Sequence, residues 1–165
     1  MYQILVLILC FLFSGCHFGL NPNVAMLSER AFEGEKFKGV SIAPKNTALM
    51  PQKYNTFLKR ELEEYFTKNS FNVSGALKIE YSILVYNEGD AFLRWLSSGL
   101  SKQARGKLEI EVIFKGSNGE ELEKKRYTYN LHLAETMQDA LEDFASRLYT
   151  YVSAHFLNTK TPNAS

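Results

Sequence analysis

Two stretches of this chain alternate between apolar and polar residues over most of their length. Leu77, Ile79, Tyr81, Ile83 and Val85 are interleaved with Lys78, Glu80 and Ser82; Leu108, Ile110, Val112 and Phe114 are interleaved with Lys107, Glu109 and Glu111. Successive side chains of a strand point to opposite faces, so each stretch reads as a strand with one buried and one wet face. A sheet built from such strands needs an apolar cover on one side only. Asn118-Gly119 follows the second stretch and signals a tight turn into a return strand ending near His132. The inward set of that return strand changes parity between Leu122 and Tyr127, Tyr129 and Leu131, which predicts a bulge over residues 124–126.

The cover is legible as two helical stripes. Over residues 51–68, Tyr54, Phe57, Leu58, Leu62, Tyr65 and Phe66 recur at helical spacing, and Pro51 suits the first turn, where its missing N–H costs nothing. Thr136-Met137-Gln138-Asp139 is a capping-box variant. It opens a second helix whose stripe is Met137, Leu141, Phe144, Leu148, Tyr151, Val152 and Phe156. A short strand over residues 39–44, ended by Pro44, precedes the first helix. The order is therefore strand, helix, three strands, helix. It predicts an α+β fold: a two-layer sandwich with a mixed or antiparallel sheet and the helices on one face. Leu141, Phe144 and Leu148 are expected to meet Ile79, Ile83, Ile110 and Val112 in the core.

At the N-terminus, residues 4–13 form an uncharged apolar run of about ten residues, too short for the roughly 20 that a membrane helix needs and right for a signal-peptide core. It meets Phe13-Ser14-Gly15-Cys16, which resembles the lipobox of bacterial lipoproteins. Phe13 stands where Leu is usual, and Met1-Tyr2-Gln3 lacks Lys or Arg. The resemblance implies cleavage before Cys16 and lipid on its sulfur. It also implies a membrane anchor in the cell envelope, facing the periplasm; His17 in place of Asp favours the outer membrane. The expected organisation is a signal peptide at 1–15, a lipidated N-terminus and tether at 16–38, one periplasmic domain at 39–157 and a polar tail at 158–165. Of the two cysteines, Cys10 would leave with the signal. The mature chain would then have neither a disulfide nor a Cys-ligated zinc site, so its core alone must hold it.

Nineteen basic and 18 acidic residues give a net charge of +1, which supplies no basic field for nucleic acid. No metal-protease, nucleophile-elbow or calcium-loop motif occurs, and His17, His132 and His155 are scattered. The interval from Gly99 to Gly106 is too long for a phosphate loop, and Leu108 follows Lys107 where Ser or Thr is required. The pairs Glu63-Glu64 and Glu120-Glu121 read as solvated surface. The sequence therefore implies no catalytic residues, cofactor or metal.

Residues 91–108 stand out. They hold Arg94, Lys102, Arg105 and Lys107 with no acid, alongside Phe92, Leu93, Trp95, Leu96 and Leu100. Two readings stay open. In one, Phe92, Leu93, Arg94, Trp95, Lys102 and Arg105 form a contact surface for a protein partner or for anionic lipid. In the other, the connection folds back over the sheet and buries Trp95. Several runs resemble the domain-of-unknown-function 4410 family of envelope lipoproteins: Glu88-Gly89-Asp90-Ala91-Phe92-Leu93-Arg94-Trp95-Leu96, then Lys107-Leu108-Glu109-Ile110-Glu111-Val112, then Asn118-Gly119-Glu120-Glu121-Leu122. The resemblance covers residues 39–122, and Ser97, Ser98 and Ser101 stand where more glycine is usual. It implies location and fold rather than a mechanism. The functional expectation is a non-enzymatic envelope accessory that binds a protein partner. The alternative is a lipid or glycolipid carrier with an apolar pocket between sheet and helices.

Overall fold

A computed structural model describes residues 22–27, 32–34, 36–68, 72–96, 105–132 and 135–157, with the side chains at 68, 72–76, 91, 94 and 95 outside that set. The elements in chain order are β1 (Asn23–Met26), β2 (Gly39–Asn46), α1 (Gln52–Lys68), β3 (Asn72–Asn87), α2 (Ala91–Leu96), β4 (Gly106–Lys115), β5 (Glu121–Leu131) and α3 (Met137–His155). The strands form one open sheet in the order β1-β5-β4-β3-β2. Only the β2–β3 pair is parallel, as α1 crosses between them; the other neighbours are antiparallel. The fold is the expected α+β sandwich with a mixed sheet.

Alternation decides the faces. Leu77, Ile79, Tyr81, Ile83, Leu108, Ile110, Val112 and Phe114 are all buried on the inner face. They share one core with Tyr54, Leu58, Leu62 and Phe66 of α1 and with Leu141, Phe144, Leu148 and Val152 of α3. The Phe144 ring meets Tyr127 edge-on at 5.1 Å. Both long helices thus cover the same side. Thr136 caps α3 reciprocally with Asp139, its hydroxyl accepting from the Asp139 N–H at 3.2 Å while the Asp139 carboxylate accepts from the Thr136 N–H at 2.8 Å.

The outer face is a mosaic of interlocked charge. Glu80 lies 2.7 Å from Lys115 and 2.9 Å from Lys78; Glu111 lies 3.0 Å from Lys124 and 3.5 Å from Arg126; Glu109 pairs with Lys107 at 2.6 Å. Ile113 is buried among them.

Three features differ from expectation. The bulge lies at Leu122, not over 124–126: Phe114 pairs with Glu123 and Lys115 with Glu121, so Leu122 is the extra residue. From Glu123 onward the parity is unbroken, and two charged side chains point inward. The hairpin loop is also longer than a two-residue turn. It spans 116–120, closed by the Gly119 N–H donating to the Gly116 carbonyl at 3.0 Å, with Gly119 at φ +82°.

The third difference is the tether. Part of the stretch 16–38 belongs to the domain. Asn23–Met26 adds a fifth strand to the sheet, and Pro22 before it is buried. Phe32 stacks on Phe37 and Phe156, and Lys36 donates to the carbonyls of Ala154 and His155 at the end of α3. Apolar rings and open helix-end carbonyls are better satisfied there than in a solvated coil.

Candidate interaction surface

The connection from β3 to β4 leaves the sheet through a tight neck. Glu88 takes two phenol hydrogen bonds, from Tyr54 of α1 at 2.5 Å and from Tyr86 of β3 at 3.0 Å. Burial first, and Glu88 second, push both tyrosines above their ordinary pKa, so the phenols remain donors at neutral pH. Gly106 closes the other side. A Cβ there would sit 2.7 Å from the Glu88 carbonyl and 2.7 Å from Leu131 Cδ1. Gly89 adopts φ +68°, its N–H bound to Asn87 Oδ1, and Asp90 Oδ1 accepts from the Leu93 N–H at 2.9 Å to start α2. A fixed stem therefore carries a one-and-a-half-turn helix at the edge of the fold.

On α2, Phe92 is 66% exposed, Leu93 42% and Leu96 63%. These positions fall within about 100° of one helical face. Of the predicted contact residues, Phe92 and Leu93 therefore come together with Leu96. Arg94 and Trp95 are on α2, but their side chains lie outside the described residues, as do Lys102 and the predicted lipidation site Cys16. Arg105 is half-buried just before β4.

Two further features were not singled out by sequence reasoning. One is the outer edge of β1, which no other described strand pairs, where Val24, Met26 and the adjoining Leu27 are 45%, 45% and 42% exposed. The other is a buried polar cluster under the end of α3. Glu123 is fully buried; its Oε1 accepts from Tyr151 Oη at 2.6 Å and lies 3.6 Å from Lys125 Nζ. That ammonium sits 3.3 Å from the centroid of the Tyr151 ring, which also stacks on His155 at 4.3 Å. Burial lowers the Lys125 pKa despite the neighbouring Glu123, and burial followed by the Glu123 hydrogen bond raises that of Tyr151. Glu123 Oε2 meets no donor among the described residues.

A cleft of about 280 Å³ lies outside the helix layer, lined by Lys53, Tyr54, Thr56, Phe57, Arg60 and Gln138. Among the described residues no group of three or more His, Cys, Asp or Glu is placed to hold a metal. Among them, too, no helix is long and apolar enough to cross a membrane.

No family model and no curated protein matches this chain. Solved structures do. The PelC dodecamer from Paraburkholderia phytofirmans superposes with a TM-score of 0.52 at 6% identity, over 84% of this chain and 100% of that one. A point variant of the same dodecamer gives 0.50 at 7% identity with the same coverage. The fold is shared. At this identity nothing more specific carries across.

The signal for the buried cluster was present in the sequence as two charged residues, Glu123 and Lys125, at the parity of Tyr127 and Tyr129. A charge at an inward position is normally a sign of broken register, so the alternation alone favoured a bulge there. The β1 edge gave no periodic signal at all, being four residues with no alternation.

Proposed function

We propose that this chain is a lipid-anchored periplasmic domain of the bacterial envelope, held by Cys16, that works by binding an envelope protein rather than by catalysis. The observation that carries the binding role is the β1 edge. Exposed strand edges pair readily with other chains, and proteins usually blunt them with charge or proline. The opposite edge follows that practice, with Pro44 and Lys45 on β2. The β1 edge does not. Its sequence, Asn-Val-Ala-Met, is uncharged, and Val24 and Met26 are nearly half exposed beside it. A partner strand laid there would gain backbone hydrogen bonds and cover both side chains. The assembled state of the PelC structures makes a further copy of this chain one partner to consider first.

The carrier alternative needs an apolar cavity of several hundred Å³, and among the described residues the layer between sheet and helices holds Leu58, Leu62, Phe66, Ile79, Phe144 and Leu148, each buried in one shared core.

Two measurements test the proposal. Mass spectrometry of the mature protein should find an acylated Cys16 as its first residue; a mature start elsewhere without lipid overturns the anchor. A photo-crosslinker placed at Val24 should give one discrete protein adduct in envelopes, its mass distinguishing self from another protein. The pair Met26→Lys and Leu27→Lys should remove that adduct without lowering the melting temperature. An adduct yield unchanged by both lysines overturns the edge as the binding surface.

A further inference from the structure

The sheet register fixes the end of the sheet from which β1 is entered. Asn23 pairs with Thr128, which pairs with Glu109. That row lies three residues, about 10 Å, from the Gly106–Leu131 end of the sheet and about 20 Å from the hairpin end. Because β1 is antiparallel to β5, the chain preceding Asn23 heads toward the Gly106–Leu131 end. Six residues lie between Cys16 and Asn23, and the seven steps reach about 25 Å at full stretch. The short path from anchor to domain therefore arrives at the end of the sheet where β3 finishes and β4 begins. α2 stands at that end, three strand spacings or about 14 Å across from β1.

We propose that the exposed apolar face of α2, Phe92, Leu93 and Leu96, rests in the interfacial region of the bilayer that holds the Cys16 lipid. The inference rests on the anchor reading and adds an orientation to it. The two ends of the domain differ as this requires. The α2 end presents three large apolar side chains on a stem fixed by Glu88 and Gly106. The hairpin at the opposite end presents Ser117, Asn118, Gly119 and Glu120, all exposed and none apolar, although the exposed Leu27 on the β1 edge lies toward that end too. α2 contains no acidic residue, and its sequence includes an Arg and a Trp, residue types that favour the water–lipid boundary. The Cys16 lipid holds the chain at the surface, and a second apolar contact with the same surface orients the domain on it. Lipid suits this face better than a protein would, because among the described residues α2 offers no strand edge to fix a partner's register.

The test uses the mature, lipidated chain in vesicles of phosphatidylethanolamine and phosphatidylglycerol that contain lipids brominated at shallow acyl positions. Trp95 is the chain's one tryptophan; in a Trp95→Phe background, Phe92→Trp places the only indole on the exposed face of α2. Ser117→Trp in the same background places it on the hairpin. The Phe92→Trp emission should shift to the blue and be quenched by bromines within about 10 Å of the headgroup boundary, while Ser117→Trp should emit unchanged. In a Leu93→Ser, Leu96→Ser version, quenching at position 92 should fall although the protein still floats with the vesicles. Acylated protein that floats but shows no quenching at position 92 overturns this proposal and leaves the anchor standing. Quenching equal at 92 and 117 also overturns it, because the domain then has no fixed orientation. Protein with no lipid on Cys16 overturns the anchor and this inference together. Shielding of position 92 by protein, seen as a blue shift without bromine quenching, assigns α2 to a protein contact and likewise overturns it.

Discussion

Glu123 and Lys125 are the residues least expected from the pattern around them. Both stand on the inner face, where their neighbours are Tyr127, Tyr129 and Leu131. Their placement is tolerable because Tyr151 serves both, as hydroxyl donor to the carboxylate and as aromatic face for the ammonium. An ion pair at this depth stabilises little by itself, yet removing one member leaves the other buried and uncompensated. Glu123→Ala is therefore expected to cost about 3 kcal/mol. With a urea slope near 2 kcal/mol per molar, the unfolding midpoint should drop by about 1.5 M. The double change Glu123→Leu, Lys125→Met should recover most of that loss, since apolar residues of similar volume replace such pairs well. A single variant as stable as the parent protein would show that the carboxylate is solvated instead. The inward charges also explain why alternation points to a bulge over residues 124–126 rather than at Leu122. Alternation reads hydrophobicity, so two inward charges look like a change of phase, and the true extra residue, Leu122, looks like a core position.

Among the elements, those with a long period were legible and those without were not. α1 and α3 follow from apolar residues spaced at three and four, and the Thr136–Asp139 cap marks the start of α3. β3 and β4 follow from alternation. The spacing of Phe92, Leu93, Leu96 and Leu100 permits a short amphipathic helix where α2 lies, although it gives no sign of the stem. The stem depends on contacts between residues far apart in sequence: Glu88 with Tyr54, and Gly106 with Leu131 and the backbone of Asn87 and Glu88. Gly106 is required there by space, as no room exists for a Cβ. Gly106→Ala should push the two chains of the stem apart and cost about 2 kcal/mol, in the usual range for overpacking. Differential scanning calorimetry should show a lower melting temperature. The same variant should weaken the orientation signal from position 92 on vesicles, because a loosened stem no longer holds α2 at a fixed angle. An unchanged melting temperature would mean that the neck is open in solution.

For the whole molecule, the two faces of the sheet are held by different physics, and acid distinguishes them. Apart from the Glu123–Lys125 pair, the inner face depends on apolar burial, which has little dependence on pH. The outer face depends on carboxylates that sit between cations, above all Glu80 between Lys115 and Lys78. The hydrogen bond from Lys115 first, and that from Lys78 second, lower the Glu80 pKa from 4.5 to about 2. A carboxylate whose pKa is depressed on folding stabilises the fold fully above its unfolded value, and the contribution disappears as pH falls through the folded value. The window for Glu80 therefore runs from about pH 4.5 down to about pH 2. Surface pairs are individually weak, so the effect belongs to the three-residue cluster rather than to one contact. Glu80→Gln carries no ionisable carboxyl, and its stability should vary less across that window. The expected result is a gap between parent and variant that is constant from pH 7 to pH 5 and narrows steadily below pH 4.5. It should close near pH 2, as read from chemical unfolding at a series of pH values. Raising the salt should shrink the gap only in part, because the Glu80 side chain is mostly shielded from solvent and its two partners are within 3 Å. Parallel curves with a constant offset down to pH 2 would show that Glu80 titrates no differently in the folded and unfolded chain. The outer face would then be a solvated surface, and its ion pairs would add nothing to holding β3 against β4.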